Sequence, residues 1–262
     1  MHITSRYVPY NGMVVKSVVR ILMNVQLKPD GKTDDVYKAL LIEAFTTGLK
    51  SSPRGQETRE LIAKRIALDP NDNIITLPGF KTALKYAKKE LEWYMSGSNK
   101  IADMGEFAHV WEKYSDDGLT ANSAYGYQIF GNHPDVRVNQ WEWVVSKLTA
   151  DRDSRQCFIN INLPSHKERP TKDLCCTIGI QYFIRENKLH SITYIRSNDI
   201  YYGFRNDIYC FCEMQKLMAK RLSIEVGTYF HVAGSLHLYQ PQFEKVEELI
   251  KTSRVSSLES RE

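Results

Sequence analysis

The sequence predicts an α+β fold in which helices pack against a mostly antiparallel or mixed sheet. Apolar residues recur at helical spacing through much of the first half of the chain. The second half is instead rich in β-branched and aromatic runs that are bounded by turn residues. No internal repeat, linker or change in composition separates the halves, so we expect one domain over residues 1–262.

The first half is predicted to be mainly helical. An N-cap signal at 32–35 begins a helix that ends near Gly48, and Pro78-Gly79 opens a second helix over 80–95 that ends at Gly97. The apolar, β-branched stretch 12–27 predicts a strand within a variable N-terminal part over 1–30. The remaining predictions are a polar turn at 51–57, mixed structure at 62–77, helices at 101–114 and 136–149, and a glycine- and aromatic-rich loop at 120–131.

The second half is predicted to form most of the sheet. A turn at Asn187-Lys188 joins two of its strands, and a helix begins near Ile208. The last helix begins near Pro241, and the polar tail 252–262 is expected to fray. The predicted strands are 157–162, 175–185, 189–195 and 227–239.

Composition limits the classes of function. Hydrophobic residues make up 42% of the chain, which is enough for a core, and no apolar run approaches the ~20 residues of a membrane span. The net charge of +4 is too small to indicate nucleic-acid binding by itself. Five cysteines without a CxxC pair indicate a reducing, cytoplasmic setting, and no histidines accompany them at the spacing of zinc ligands. The N-terminus has no signal-peptide pattern.

The stretch from Tyr194 to Tyr209 combines a strand, a polar loop and the start of a helix. It carries a basic residue, a hydroxyl, two carboxyl groups and a glycine within sixteen residues. Charged groups fixed between a strand end and a helix start suit a small-molecule site. The plainer alternative is a solvated loop between two core elements.

Five motifs follow one another in a fixed order along the chain. They are ELEWYMSGSN at 90–99, DSR at 153–155, Cys176 five residues before Gln181, RSND followed by a glycine at 196–203, and GSLHLY at 234–239. Their order and spacing resemble the thymidylate synthase superfamily over about Gly48 to Tyr239. The forms RSND, GFRND and GSLH are most similar to the bacteriophage deoxycytidylate hydroxymethylases within it.

This resemblance implies catalytic roles for four residues. Cys176 matches the family's nucleophile, which attacks C6 of the pyrimidine, and nearby arginines are expected to lower the pKa of its thiol. Glu90 matches an acid/base glutamate that works through water, and Tyr125 matches a tyrosine that helps to remove the C5 proton. The fourth residue is Asp207. The alternative for Cys176 is a small core residue.

The resemblance also implies binding roles. Arg54, Arg196 and Ser197 match the phosphate site, to which the partner subunit of a sheet-to-sheet homodimer adds Arg155. His237 and Tyr239 match the pair that binds the 3′-hydroxyl of the sugar, while Asp199 and Trp111 match positions that contact folate. For each of these residues the alternative is ordinary surface or core packing. A second arginine usually follows the one that matches Arg155, and this chain has Gln156 there.

Asp207 stands where thymidylate synthases have an asparagine. Cytosine presents an N4 amino donor and a bare N3 acceptor, which is the reverse of uracil, so a carboxyl group that shares a proton with N3 suits cytosine. Protonation at N3 also offsets the negative charge that develops on the ring after attack at C6. The alternative is that Asp207 serves as a helix N-cap.

We therefore predict a deoxycytidylate 5-hydroxymethyltransferase that uses 5,10-methylenetetrahydrofolate and no metal. The tail SSLESRE replaces the apolar end of thymidylate synthases, which agrees with addition of water to the transferred carbon. Through the resemblance, the product is expected to enter modified phage DNA. The open alternatives are action on dUMP as a hydroxymethylase or thymidylate synthase, action on CMP, and a catalytically silent nucleotide- or RNA-binding protein.

Overall fold

The core of the protein is a mixed sheet, seen in a computed structural model that describes residues 27–131, 138–168 and 171–259. Within these residues the sheet has six strands in the order β1-β2-β6-β5-β4-β3. Neighbouring strands are antiparallel except for β5 and β6, which are parallel. The predicted α+β class with a mixed sheet is confirmed. The strands are β1 (Leu49–Ser51), β2 (Thr58–Leu68), β3 (Phe158–Asn160), β4 (Thr177–Arg185), β5 (Lys188–Asp199) and β6 (Glu225–Tyr239).

Helices pack against this sheet. The longest, α6, connects the parallel strands β5 and β6, because a parallel connection needs a long crossover. Its apolar residues recur every three or four positions, and it buries Phe204, Ile208, Phe211, Met214 and Met218. The helices are α1 (Thr33–Thr47), α2 (Leu84–Ser96), α3 (Ala108–Glu112), α4 (Tyr125–Ile129), α5 (Gln140–Ala150), α6 (Gly203–Arg221) and α7 (Phe243–Glu259), with short 3₁₀ turns at Pro53–Gly55, Ile101–Phe107, Pro164–Lys167 and Gln240–Gln242.

The register of the central strands gathers three chain segments at one end of the sheet. Asp199 at the end of β5 pairs with His237 near the end of β6. Antiparallel pairing then places Glu60 of β2 opposite His237 and Thr58 opposite Tyr239. The start of β2 and the ends of β5 and β6 therefore meet at this edge, where the sequence had placed most of its polar motifs.

Several predicted boundaries are confirmed. Helix α1 covers the segment after the N-cap signal, and α2 ends where Gly97 adopts the left-handed conformation at φ 68°. The start of α2 is later than predicted because Phe80 and Thr82 form turn hydrogen bonds to Leu77 and Ile75 before the helix begins.

Other boundaries were wrong. Two residues with positive φ, Glu186 (50°) and Asn187 (59°), make the turn between β4 and β5, one position earlier than predicted. Strand β5 continues to Asp199 and α6 already begins at Gly203, so the polar loop is only three residues long. Strand β2 and helix α4 occupy parts of the segments predicted as mixed structure and loop, and α7 runs to Glu259 through part of the tail. The strand predicted over 12–27 lies almost entirely outside the described residues.

Two kinds of feature are absent from the described residues. No helix there has both the length and the apolar character that crossing a membrane requires. No group of three or more His, Cys, Asp or Glu side chains in those ranges is arranged to hold a metal ion.

Candidate active site

Cys176 lies immediately before β4 and is tied to the end of β5 by Arg196. The backbone N–H of Arg196 donates to the carbonyl of Cys176 (2.8 Å). Its side chain donates from Nε to the carbonyl of Cys175 (3.0 Å) and from Nη2 to that of Leu174 (2.7 Å). The guanidinium is therefore held along residues 174–176, which we call the cysteine segment, as a fixed positive charge beside the thiol.

Burial nevertheless decides the protonation state of the Cys176 thiol. Burial raises the pKa of Cys176 above its ordinary value of 9.0, and the charges of Arg196 and Arg54 only partly offset this. Asp207 raises the pKa further. The two arginines act in the expected direction, but the thiol remains protonated at neutral pH in the protein without substrate. Cys175, its neighbour, is fully buried in the core, so the adjacent cysteines have different surroundings.

Glu90 projects from the middle of α2 into a buried, aromatic environment. Tyr86, one turn earlier, donates its hydroxyl to Glu90 Oε1 (3.2 Å), and Tyr94, one turn later, also hydrogen-bonds to the carboxyl group. Burial raises the pKa of Glu90 to about 8, with a further increase from Asp207. The carboxyl group is therefore mostly protonated near pH 7, which suits an acid that exchanges a proton with substrate or water.

Asp207 lies in the second turn of α6 and bonds to the end of β5. Asn198 donates from Nδ2 to Asp207 Oδ2 (2.7 Å). Burial raises the pKa of Asp207 to about 7, although the Asn198 hydrogen bond acts in the opposite direction. The alternative that Asp207 caps the helix was wrong, because the N-cap is Tyr202 and the carboxyl group bonds to Asn198.

Gly203 leaves the space in which Asn198 meets Asp207. A methyl group at Gly203 would lie 2.9 Å from Asn198 Nδ2 and 3.7 Å from Asp207 Oδ2. Contacts below 3.0 Å require something to move, so any larger residue there would displace the Asn198 amide. Gly203 therefore permits the hydrogen bond between Asn198 and Asp207 because it has no side chain.

Tyr125, at the start of α4, lies next to the residue that follows Cys176. Its hydroxyl accepts a hydrogen bond from the backbone N–H of Thr177 (3.4 Å), the residue after the cysteine. Its ring lies 5.1 Å from that of Tyr94, between centroids. Burial raises the pKa of Tyr125 well above 10, so the phenol stays neutral.

The residues expected to bind the phosphate and the sugar lie at the same edge of the sheet. Arg54 adopts φ 53° in its 3₁₀ turn, and its side chain hydrogen-bonds to Tyr239. The ring of His237 packs edge-on against Tyr239 at 5.0 Å, and burial lowers the pKa of His237, which keeps it neutral. Ser197 pairs with Ser235 on β6.

Asp199 is the carboxyl group next to His237 in the sheet. Its Oδ1 accepts a hydrogen bond from the backbone N–H of Tyr201 (2.8 Å). Burial raises the pKa of Asp199 to about 6, partly offset by Arg205.

Two of the sequence-predicted residues stand apart. Arg155 lies in the turn before β3 with an exposed side chain, and its guanidinium makes no hydrogen bond or ion pair within the described part of the chain. Trp111 lies in α3, where it packs edge-on against Trp93 at 5.1 Å rather than against the cysteine segment, and it reaches the site through Tyr86, the partner of Glu90.

The sequence prediction missed several residues of this site. Tyr86 and Tyr94 could have been found, because they flank Glu90 at a spacing of four on the same helix face. Asn198 stood inside the RSND motif without an assigned role. His231, which bonds to Asn198, carried no signal, since it sits in an otherwise apolar and aromatic strand segment.

Comparison with known proteins agrees with this geometry. The family model described as thymidylate synthase matches residues 35–259. The chain is 28% identical over 219 residues to the deoxyuridylate hydroxymethyltransferase of Bacillus phage SP01, an alignment that covers 79% of this chain and 57% of that protein. It is 30% identical over 184 residues to the deoxycytidylate 5-hydroxymethyltransferase of Enterobacteria phage T4, covering 64% of this chain and 72% of that protein. The corresponding Enterobacteria phage T2 protein is 30% identical over 179 residues, covering 62% and 70%. The match of the family model over most of the chain shows that it belongs to the thymidylate synthase family.

Proposed function

We propose that the protein is a deoxycytidylate 5-hydroxymethyltransferase. The observation that carries this proposal is the Asp207 carboxyl group, which electrostatically influences Cys176 and is held by Asn198 at the end of β5. The broader class, a folate-dependent one-carbon transferase, is supported by the family and by the printed names of these relatives.

Asp207 suits cytosine for a specific chemical reason. Burial raises its pKa to about 7, so the carboxyl group is neither fully ionised nor fully protonated near neutral pH. It can accept a hydrogen bond from N4 and share a proton with N3 of the same base. A proton at N3 stabilises the negative charge that develops when a nucleophile adds to C6.

Cys176 would act as that nucleophile. Its buried thiol gives its proton to water as sulfur forms a bond to C6, and the fixed guanidinium of Arg196 stabilises the developing thiolate. The negative charge that moves into the ring is neutralised by the proton that Asp207 shares with N3. Addition at C6 makes C5 nucleophilic. After C5 has taken up the one-carbon unit it loses its proton, for which the neutral phenol of Tyr125 positions water. Glu90, whose pKa of about 8 keeps it protonated, donates and recovers protons through water, which also supplies the new hydroxyl as tetrahydrofolate leaves. The bond between sulfur and C6 then breaks, which restores the ring and returns Cys176 as a thiolate.

Asp199 and Trp111 would hold 5,10-methylenetetrahydrofolate, the donor of the one-carbon unit. A part-buried carboxyl group offers an acceptor to the N–H groups of a pterin, and an indole ring offers a surface for stacking. The residues present therefore fit this co-substrate.

Arg54, Arg196 and Ser197 would bind the phosphate, and His237 with Tyr239 the 3′-hydroxyl. We also propose a homodimer that pairs two sheets and lets the exposed Arg155 of one subunit reach the phosphate in the other. Three strands of the sheet expose a large aliphatic side chain, Leu49 (62%), Ile62 (57%) and Ile178 (43%), and pairing of two sheets would cover such side chains.

Action on dUMP is the second candidate. The phage SP01 relative, named for deoxyuridylate, aligns over 79% of this chain, whereas the T4 relative aligns over 64%. The two relatives therefore leave the base to be decided by Asp207.

Release of tritium from [5-³H]dCMP and [5-³H]dUMP with methylenetetrahydrofolate tests the proposal directly. We expect release from dCMP by the wild type, its loss in Cys176→Ala, and a shift toward dUMP in Asp207→Asn. Glu213→Gln, a carboxyl group on the same helix but two turns beyond Asp207, is the control and should keep the base preference. Release from dUMP alone by the wild type would establish the second candidate, and no release from either base would refute both.

A further inference from the structure

A chain of buried hydrogen bonds leads away from Asp207 into the sheet. Asn198 donates to Asp207 Oδ2 (2.7 Å), and its own Oδ1 is 2.9 Å from His231 Nε2. On its other side, His231 Nδ1 is 3.0 Å from the hydroxyl of Tyr229. These three residues are at most 4% exposed, and His231 and Tyr229 have no part in the proposed reaction.

Only one direction of donation satisfies every member of this chain in the observed arrangement. Burial lowers the pKa of His231 to about 3, so the ring is neutral and carries a single N–H. Because the Asn198 oxygen can only accept, that N–H must be at Nε2, and Nδ1 then accepts from the Tyr229 hydroxyl. The amide N–H of Asn198 is thereby directed at Asp207 Oδ2. Reversing the chain would require the buried amide to rotate by half a turn.

We propose that Asn198 and His231 are positioning residues that fix which oxygen of Asp207 carries the acid proton, and that they thereby set the choice between cytosine and uracil. This proposal rests on the proposed function, in which Asp207 faces the base. Oδ2 accepts from Asn198, and a carbonyl oxygen is a better acceptor than a protonated one, so the carboxylic acid form is more stable with its proton on Oδ1.

Confining the proton to one oxygen discriminates between the two bases. Cytosine needs a donor opposite N3 and an acceptor opposite its N4 amino group, which is satisfied when Oδ1 faces N3 and Oδ2 faces N4. Uracil in the same pose needs an acceptor opposite N3–H and a donor opposite O4. An unrestrained carboxylic acid could serve both bases by moving its proton to Oδ2, and the Asn198 donor opposes that move.

Binding of dCMP and dUMP, measured by isothermal titration at pH 7.5, tests this role without depending on turnover. Asn198→Ala removes the donor and His231→Phe releases the amide. We expect the ratio of the dUMP to the dCMP dissociation constant to fall by about tenfold in both variants, as for the loss of one buried hydrogen bond. His231→Gln places an amide N–H near the position of Nε2 and should stay within about threefold of the wild type.

His190→Phe is the matched control. His190 is another buried histidine, 2% exposed, whose Nδ1 accepts from the backbone of Thr228. It lies eight residues before Asn198 on the same strand, roughly 26 Å away at the usual rise of a strand. Its substitution should lower stability and leave the ratio of dissociation constants unchanged.

An unchanged ratio in Asn198→Ala would overturn the proposal, even if His231→Phe did not fold. A ratio that falls in Asn198→Ala but not in folded His231→Phe would overturn the part played by His231. Failure of the hydroxymethylase itself is seen separately, as absence of tritium release by the wild type. The ratios of the dissociation constants test the roles of Asn198 and His231 whether or not tritium is released.

Discussion

The Glu90 carboxyl group makes the stability of the protein depend on pH. Its pKa is about 8 in the folded protein against an ordinary value of 4.5, so the folded state binds this proton more tightly than the unfolded state. The resulting stabilisation is complete below about pH 4.5 and is lost as the pH rises toward 8. Glu90→Gln cannot ionise, so its free energy of unfolding should rise relative to that of the wild type by up to about 1.4 kcal/mol per pH unit in this range.

Urea unfolding between pH 5 and pH 8.5 measures this difference. Glu92→Gln is the control, because Glu92 lies on the same helix with an exposed side chain 70% accessible to solvent. The difference between that variant and the wild type should not change with pH. Parallel curves for Glu90→Gln and the wild type would show that Glu90 is ionised throughout.

Cys176 is predicted to react slowly with alkylating reagents despite its two arginines. Burial keeps the pKa of its thiol above 9.0. Of the two arginines that lower this pKa, Arg196 has the larger effect. Arg196→Ala should therefore lower the rate of iodoacetamide labelling at pH 8 by about three- to tenfold, because loss of the guanidinium leaves a smaller fraction of the thiol ionised. Labelling followed by peptide mass spectrometry measures Cys176 separately from the four buried cysteines.

Arg221→Ala is the control for that experiment. Arg221 is the last residue of α6 and pairs with Glu142 at 3.5 Å. The substitution should leave the rate at Cys176 unchanged. Faster labelling in Arg196→Ala would mean that shielding by the side chain matters more than its charge.

At the scale of elements, α2 and α4 approach so closely that only glycine fits between them. A methyl group at Gly126 would lie 1.7 Å from the carbonyl oxygen of Tyr94, which is backbone and cannot rotate away. Gly126→Ala should therefore force the helices apart and destabilise the protein by about 2–4 kcal/mol. Because Tyr94 and Tyr125 lie on these two helices, activity should fall as well.

Gly227→Ala provides the comparison for this prediction. A methyl group there would meet the ring of His190 at 2.6 Å, but a side chain can adjust where a backbone cannot. Thermal unfolding should show a clearly larger loss for Gly126→Ala than for Gly227→Ala. Equal losses would indicate that α4 shifts readily and does not hold Tyr125 in place.

The sequence predicted elements well where the signal was local. Gly97 placed the end of α2, since a left-handed glycine acts within one turn. The signal at 32–35 placed the start of α1, although no side-chain hydrogen bond caps that helix at Lys32. The sequence placed the start of α6 at Ile208, because the run of apolar residues at helical spacing begins there and Gly203 is a poor helix former. The helix starts earlier because Phe204 is buried against Tyr37, a contact with a residue far away in sequence.

At the scale of the whole molecule, the family resemblance indicated which distant residues come together, and the spacing of the motifs alone could not. Residues as distant as Arg54 and Tyr239 meet through the pairing of β2 with β6, which no local pattern reveals. The network from Asp207 to His231 was missed for the same reason, as it joins α6, β5 and β6. The extent of a single domain over 1–262 remains a prediction.

The proposed homodimer makes each site depend on two subunits, and a mixing experiment can detect this. A mixture of Arg155→Ala and Cys176→Ala subunits contains heterodimers in which one site has both an intact Cys176 and an intact Arg155 from the partner. If exchange is random and Arg155 acts across the interface, about a quarter of the wild-type tritium release should return although each variant alone is nearly inactive.

Arg196→Ala mixed with Cys176→Ala is the control, because Arg196 bonds to the cysteine segment of its own chain. Each heterodimer site then lacks either the thiol or its arginine, so no activity should return. Recovery with Arg155→Ala but not with Arg196→Ala requires that the exposed guanidinium before β3 completes a neighbouring subunit's site. If activity returns in neither mixture, Arg155 acts in its own subunit's site or in no site. The proposed dimer would then not be needed to complete the phosphate site.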